Sequence, residues 1–143
     1  MYTIKKTSYG FQFSFMGHFP KDEAKLWARD ASQAFLTYEG NPGVFVDMRD
    51  MELMPPESRQ YVIDVQRIAR KNGMIRSAVI LKDKITTMQL MGIAKETGIY
   101  EWERYIDANA EPNWEKVGLD WVIHGIDPDE KSHDVQSVSH DSA

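Results

Sequence analysis

The sequence predicts a single α/β domain built on a mostly parallel sheet of about five strands, with an antiparallel N-terminal edge strand and four helices. Three observations carry this. Val44-Phe45-Val46 and Ser77 to Leu81 are continuous apolar runs, the pattern of strands covered on both faces. Strand and helix patterns alternate through short connections, which implies parallel strands joined by right-handed crossovers. The length, 143 residues, suits one domain with a core of its own.

The elements follow in order. Tyr2 to Thr7 and Phe11 to Met16 are β-prone runs separated by Ser8-Tyr9-Gly10, and in the second Phe11, Phe13 and Phe15 alternate with Gln12 and Ser14. That alternation describes a hairpin with one face on the core. Pro20 opens a helix where a missing N–H is harmless, and Trp27, Ala31, Ala34, Phe35 and Tyr38 form its apolar stripe. Gly40-Asn41-Pro42-Gly43 stops it, and the Val44–Val46 strand follows, ended by Asp47.

Pro55-Pro56-Glu57 starts a second helix, whose core face is Tyr61, Val62, Val65, Ile68 and Ala69 and whose stop is Asn72-Gly73. After the Ser77–Leu81 strand, Lys84 to Thr97 reads as a third helix with Ile85, Met88, Met91 and Ala94 in register. Ile99 to Ile106 is a strand whose charges place it near an edge. Pro112 opens a fourth helix carrying Trp114, Val117, Gly118, Trp121 and Val122. The domain is thus read as residues 1–126, with 127–143 a polar tail that is disordered unless a neighbouring chain holds it.

Composition narrows the function classes. A net charge of −5 argues against a nucleic-acid surface, and the basic residues Arg67, Arg70 and Lys71 sit where a helix dipole favours them. There is no cysteine, so disulfides and thiolate chemistry are excluded. No run approaches the roughly 18 to 20 apolar residues of a membrane span. The N-terminal residues lack a signal-peptide pattern, so a cytoplasmic protein is expected. His18, His124, His133 and His140 show no metal-ligand spacing, and no phosphate loop or nucleophile elbow occurs. No cofactor, metal or catalytic residue is expected.

The stretches Phe15-Met16-Gly17-His18-Phe19-Pro20, Val44-Phe45-Val46-Asp47-Met48-Arg49, Arg76-Ser77-Ala78-Val79-Ile80 and Trp114 through Gly125 resemble the STAS-like family. This is the fold of the anti-sigma-factor antagonists, in particular the branch likened to Sec14-type lipid-transfer domains. The resemblance covers residues 1 to about 126 and implies a regulatory, non-catalytic module. Signalling members carry an Asp-Ser-Ser/Thr-Gly phosphoacceptor motif after the central strand. Here that stretch reads Met54-Pro55-Pro56-Glu57-Ser58-Arg59, without the Asp and Gly. Ser58 is therefore read as part of a helix start, with Ser58→Ala and Ser58→Asp expected to shift stability by no more than about 0.5 kcal/mol.

The candidate site is the segment after the third strand, where open α/β sheets place ligands. Its residues are Met48, Arg49, Met51, Met54, Glu57 and Ser58. Three methionines in a connection form either an adaptable apolar surface or a loop packed on the core. Arg49 either binds an anion near the helix N-terminus or pairs with Asp50, Glu52 or Glu57. Two functions compete: a module binding a protein partner through this loop and helix, and a carrier of a small apolar or amphipathic ligand. A closed pocket of roughly 300 Å³ or more under Met48 and Met54 favours the carrier, and a flat exposed patch favours the partner. A homo-oligomer is compatible with either.

Overall fold

The computed structural model describes residues 1–130. The expected tail reading for 131–143 lies outside the described residues. The chain runs β1 (Tyr2–Lys6), β2 (Gly10–Gly17), α1 (Lys21–Thr37), β3 (Gly43–Met51), a 3-10 turn (Pro56–Ser58) and α2 (Arg59–Lys71). It continues through β4 (Ser77–Leu81), α3 (Lys84–Thr97), a second 3-10 turn (Tyr100–Trp102), β5 (Glu103–Asp107) and α4 (Trp114–His124). The five strands lie in the order β1-β2-β3-β4-β5. β1 is antiparallel to β2, and all other pairings are parallel.

The two faces of this sheet are covered unequally. On one face, Phe11, Phe13, Phe15, Val44, Val46 and Val79 pack against Trp27 and Phe35 of α1, Val65 of α2 and Ile93 of α3. On the other, Phe45, Ala78, Ile80 and Ile106 meet Trp121 and Val122 of α4. One helix cannot span five strands, so the far face of β2 carries half-buried Gln12 and Ser14 and an exposed Met16. This is why β2 alternates while β3 and β4 do not. As expected, Val44–Val46 and Ala78–Ile80 are adjacent, parallel and buried.

Glycine permits two close approaches that matter for the sheet. At Gly10, φ is +148°, and a Cβ would lie 2.1 Å from the Gly43 carbonyl oxygen. At Gly118 a Cβ would lie 2.7 Å from Phe45 Cε2, so α4 rests directly on the sheet.

Three elements differ from their sequence reading. β3 does not end at Asp47 but continues to Met51, because β2 runs on beside it and pairs Met16 with Asp50 and Gly17 with Met51. Between Ser14 and Met16 the register shifts, with three steps on β3 matched to two on β2. This bulge turns Met48 and Met51, three residues apart, to the same helix-covered face. β5 is shorter than expected, because Tyr100–Trp102 forms a 3-10 turn rather than strand. On α3 the buried residues are Thr86, Leu90, Ile93, Ala94 and Thr97, while Ile85 and Met88 are 57% and 71% exposed. The apolar series read as a core stripe points largely to solvent. No helix among the described residues is long and apolar enough to cross a membrane.

Candidate functional site

The structure places the residues of the expected site in different settings. Met48, Met51 and Met54 are buried core residues, in line with the packing alternative, while Leu53 beside them is exposed. Ser58 is fully buried, and its Oγ donates to the Phe19 carbonyl at 2.6 Å, joining the 3-10 turn to the connection between β2 and α1. Glu57 beside it is exposed. Arg49 pairs with none of the acids anticipated for it. Its Nε and Nη2 donate to the Asp47 carboxylate at 3.0 and 2.9 Å, and its guanidinium lies 3.9 Å from the Trp114 ring centroid. Burial alone pushes the Asp47 carboxyl up, but hydrogen bonds and charge from Arg49 outweigh it and hold the group below its ordinary value. The pair fastens the outer end of β3 to α4 and leaves Arg49 committed to its own chain.

A cavity of about 60 Å³ lies between the sheet and α1–α2, with Met48, Gln66, Ser77 and Glu103 in its walls. Its most unusual group is Glu103, a buried carboxyl that accepts from Ser77 Oγ at 2.8 Å and from the Tyr105 hydroxyl. Burial pushes the Glu103 carboxyl up despite these hydrogen bonds, which favour the ionised form. Burial and the adjacent Glu103 also push the Tyr105 phenol up.

The folded state therefore holds the Glu103 proton over a range in which the unfolded chain has lost it. That contribution to stability is complete below the ordinary value of 4.5 and is lost as pH rises through the folded value. Glu103→Gln keeps one donor and one acceptor for the two hydroxyls, as the neutral acid does. Its Tm is expected to match the parent near pH 4.5 and to exceed it increasingly toward pH 8.5. A Tm difference independent of pH would show that Glu103 titrates alike in both states.

Two surface hollows lie beside β5, and a more open one of about 540 Å³ lies at the start of α4. An open groove of about 330 Å³ runs between α3 and the strand, bordered by Lys82, Thr87, Met88, Met91, Tyr105 and Asp107. A second hollow of about 400 Å³ lies on the other side of Tyr105, against Tyr100, Glu101, Arg104 and Asp129. Met91 and Tyr105 border both, so the two form one channel along the sheet edge. Arg104 is fixed within it by Asp127, with Nε and Nη2 donating at 2.8 and 2.9 Å. Its guanidinium also lies 4.3 Å from the Trp121 ring centroid.

The sequence places the Ile99–Ile106 stretch near a sheet edge but reads Met88 and Ile85 as core. The signal for α3 was present in Thr86, Leu90, Ile93 and Ala94, a competing stripe at i, i+4, i+7 and i+8. Among the described residues no group of three or more His, Asp or Glu side chains is arranged to hold a metal. In comparisons with known proteins, no family model and no curated protein matches this chain.

Proposed function

We propose that this chain is a non-catalytic, STAS-like regulatory module that binds a protein partner through the α3–β5 groove rather than through the segment after β3. The observation that carries the reading is Met88. It is 71% exposed, on the same helical face as exposed Ile85, and it borders an open channel at a sheet edge. An exposed methionine beside a groove lined by half-buried Met91 and Tyr105 is the kind of surface a partner buries, and methionine adapts to varied shapes. Charged groups of both signs flank the channel, with Lys82, Asp83, Lys84 and Asp107 at one end and Glu101, Arg104 and Asp129 at the other. They would orient a partner.

The carrier alternative has less support. The cavity beneath Met48 holds about 60 Å³, against the roughly 300 Å³ or more of a small-molecule site. Met54, the other residue expected above a ligand, is a buried core residue outside the walls of that cavity.

The test replaces Met88 with the photoreactive residue benzoylphenylalanine in the native host, and Leu26, exposed on α1, as control. A discrete adduct from position 88 and none from position 26 is expected. Equal, diffuse labelling at both positions, or no adduct at 88, would remove the reading. Met88→Asp and Ile85→Asp, both at exposed positions, are expected to change folding stability by no more than about 0.5 kcal/mol. Loss of the adduct in an Ile85→Asp background would then report the surface and not the fold. Urea titration of each variant checks that premise.

A further inference from the structure

Resting on this reading of the α3–β5 groove as a binding surface, the geometry points to its occupant: we propose that a second copy of this chain pairs antiparallel with β5 about a two-fold axis through Tyr105.

The argument starts from the backbone groups that β5 leaves open. The Ala108 N–H donates to the Leu81 carbonyl, so even-numbered residues of β5 face β4. In a parallel ladder the intervening residues face away. The outward groups are therefore those of Glu103, Tyr105 and Asp107. Three of the six are already used. The Glu103 N–H donates to the Tyr100 carbonyl. The Glu103 carbonyl accepts from Arg104 Nη1 at 3.1 Å. The Asp107 carbonyl accepts from the amides of Ala110 and Glu111. Among the described residues the Tyr105 N–H, the Tyr105 carbonyl and the Asp107 N–H remain unpaired.

That pattern is complementary to itself. In an antiparallel pair centred on Tyr105, each Tyr105 N–H meets the Tyr105 carbonyl of the other copy. Each Asp107 N–H meets the other copy's Glu103 carbonyl, which retains a lone pair beside Arg104. The remaining partners in such a ladder are the Glu103 N–H and the Asp107 carbonyl, the two groups satisfied within the chain. Pairing thus satisfies every open group and strands none.

Side chains agree with the backbone. A two-fold axis normal to the sheet keeps both α3 helices on one side, so Met88 and Met91 of each copy approach the other across the paired tyrosines. Identical patches meeting in this way form an isologous contact, the commonest arrangement of oligomers. The opposite edge is guarded, since β1 carries exposed Lys5 and Lys6. β5 has no lysine, its Glu103 is turned inward and its Arg104 is held by Asp127. Pairing sets Asp107 opposite Glu103 of the other copy, whose carboxyl is turned inward to Ser77 and Tyr105 of its own chain.

Sedimentation velocity of the full chain from about 1 to 200 µM, with site-resolved amide exchange at both ends of that range, tests the proposal. A reversible monomer–dimer equilibrium is expected, with exchange at the Tyr105 and Asp107 amides slowing as the dimer forms. Asp107→Pro removes one outward donor per copy at an edge position that tolerates proline, and should weaken the dimer about tenfold or more. The exchange measurement needs no variant, so a poorly folding Asp107→Pro does not blunt the test. A monomer throughout, or a dimer whose Tyr105 and Asp107 amides exchange as in the monomer, overturns the proposal. Either outcome leaves the Met88 cross-linking result standing, because an adduct with a different protein needs no second copy.

Discussion

Trp121→Ala is expected to lower the free energy of unfolding by roughly 3–5 kcal/mol, as large-to-small changes of a buried aromatic do. Trp121 is 6% exposed and belongs to the only cluster that joins α4 to the sheet among the described residues. Its loss opens a cavity against Phe45, Ile80 and Ile106 under a helix already set down to Gly118 contact distance, so the site has little room to collapse. The indole Nε1 also donates to the Ser77 carbonyl at 3.0 Å and to the Trp102 carbonyl at 3.3 Å, tying β4 and the second 3-10 turn to α4. Arg104 loses the ring it stacks on. Trp121→Phe retains most of the apolar area and removes the donor, so its effect should be smaller, about 1–2 kcal/mol. Urea unfolding measures both. A midpoint unchanged by Trp121→Ala would mean that α4 does not hold the second face of the sheet.

The sheet was legible in the sequence because burial on two faces leaves an unmistakable pattern. Phe45 and Ala78 face α4 while Val46 and Val79 face the other helices, so neither β3 nor β4 has a polar side to show. Helix α3 was misread for a geometric reason. Ile85, Met88, Met91 and Ala94 step by three residues, and each step falls about 60° short of a full turn at 3.6 residues per turn. Over three steps the drift is about 180°, so Ile85 and Ala94 point to opposite sides of one helix. A second stripe, Thr86-Leu90-Ile93-Ala94-Thr97, holds its face but begins and ends in threonine, which hid it among polar residues.

The site was less legible than the fold, because its character depends on neighbours distant in sequence. Met48 and Met51 look like loop methionines only until β2 is laid beside them and the bulge turns both inward. Glu103 reads as a solvated charge on an edge strand until Ser77 and Tyr105 enclose it. The groove beside β5 joins residues up to 25 positions apart, from Lys82 to Asp107, that no motif connects.

Ser58 is where the structure most changes an expectation, and the remaining prediction concerns it. The sequence placed it on an exposed helix start, where substitution would be nearly neutral. It is fully buried instead, with its hydroxyl aimed across 39 residues of chain at the Phe19 carbonyl. Phe19 is a core residue, packed edge-on against Phe15 and Trp27 at centroid distances of 5.2 and 5.8 Å. The bond therefore fixes where the chain leaves β2 and enters α1. Ser58→Ala removes the donor and leaves a buried carbonyl unsatisfied, which costs about 1–3 kcal/mol. Ser58→Asp places a carboxylate facing that carbonyl, acceptor against acceptor, at a fully buried position. An uncompensated buried charge of this kind costs about 3–5 kcal/mol, a large part of the stability of an ordinary domain. The Asp variant should recover in part as pH falls below the range in which its carboxyl ionises, since the neutral acid can donate to Phe19 as serine does. The sign follows from linkage: a carboxyl pushed up by burial is tolerated when protonated and destabilises as pH rises. Thermal melts of the parent, Ser58→Ala and Ser58→Asp at pH 4.5 and pH 8 would show this ordering. Three equal melting temperatures would mean that the hydroxyl is exposed, and would return Ser58 to the list of accessible phosphoacceptors.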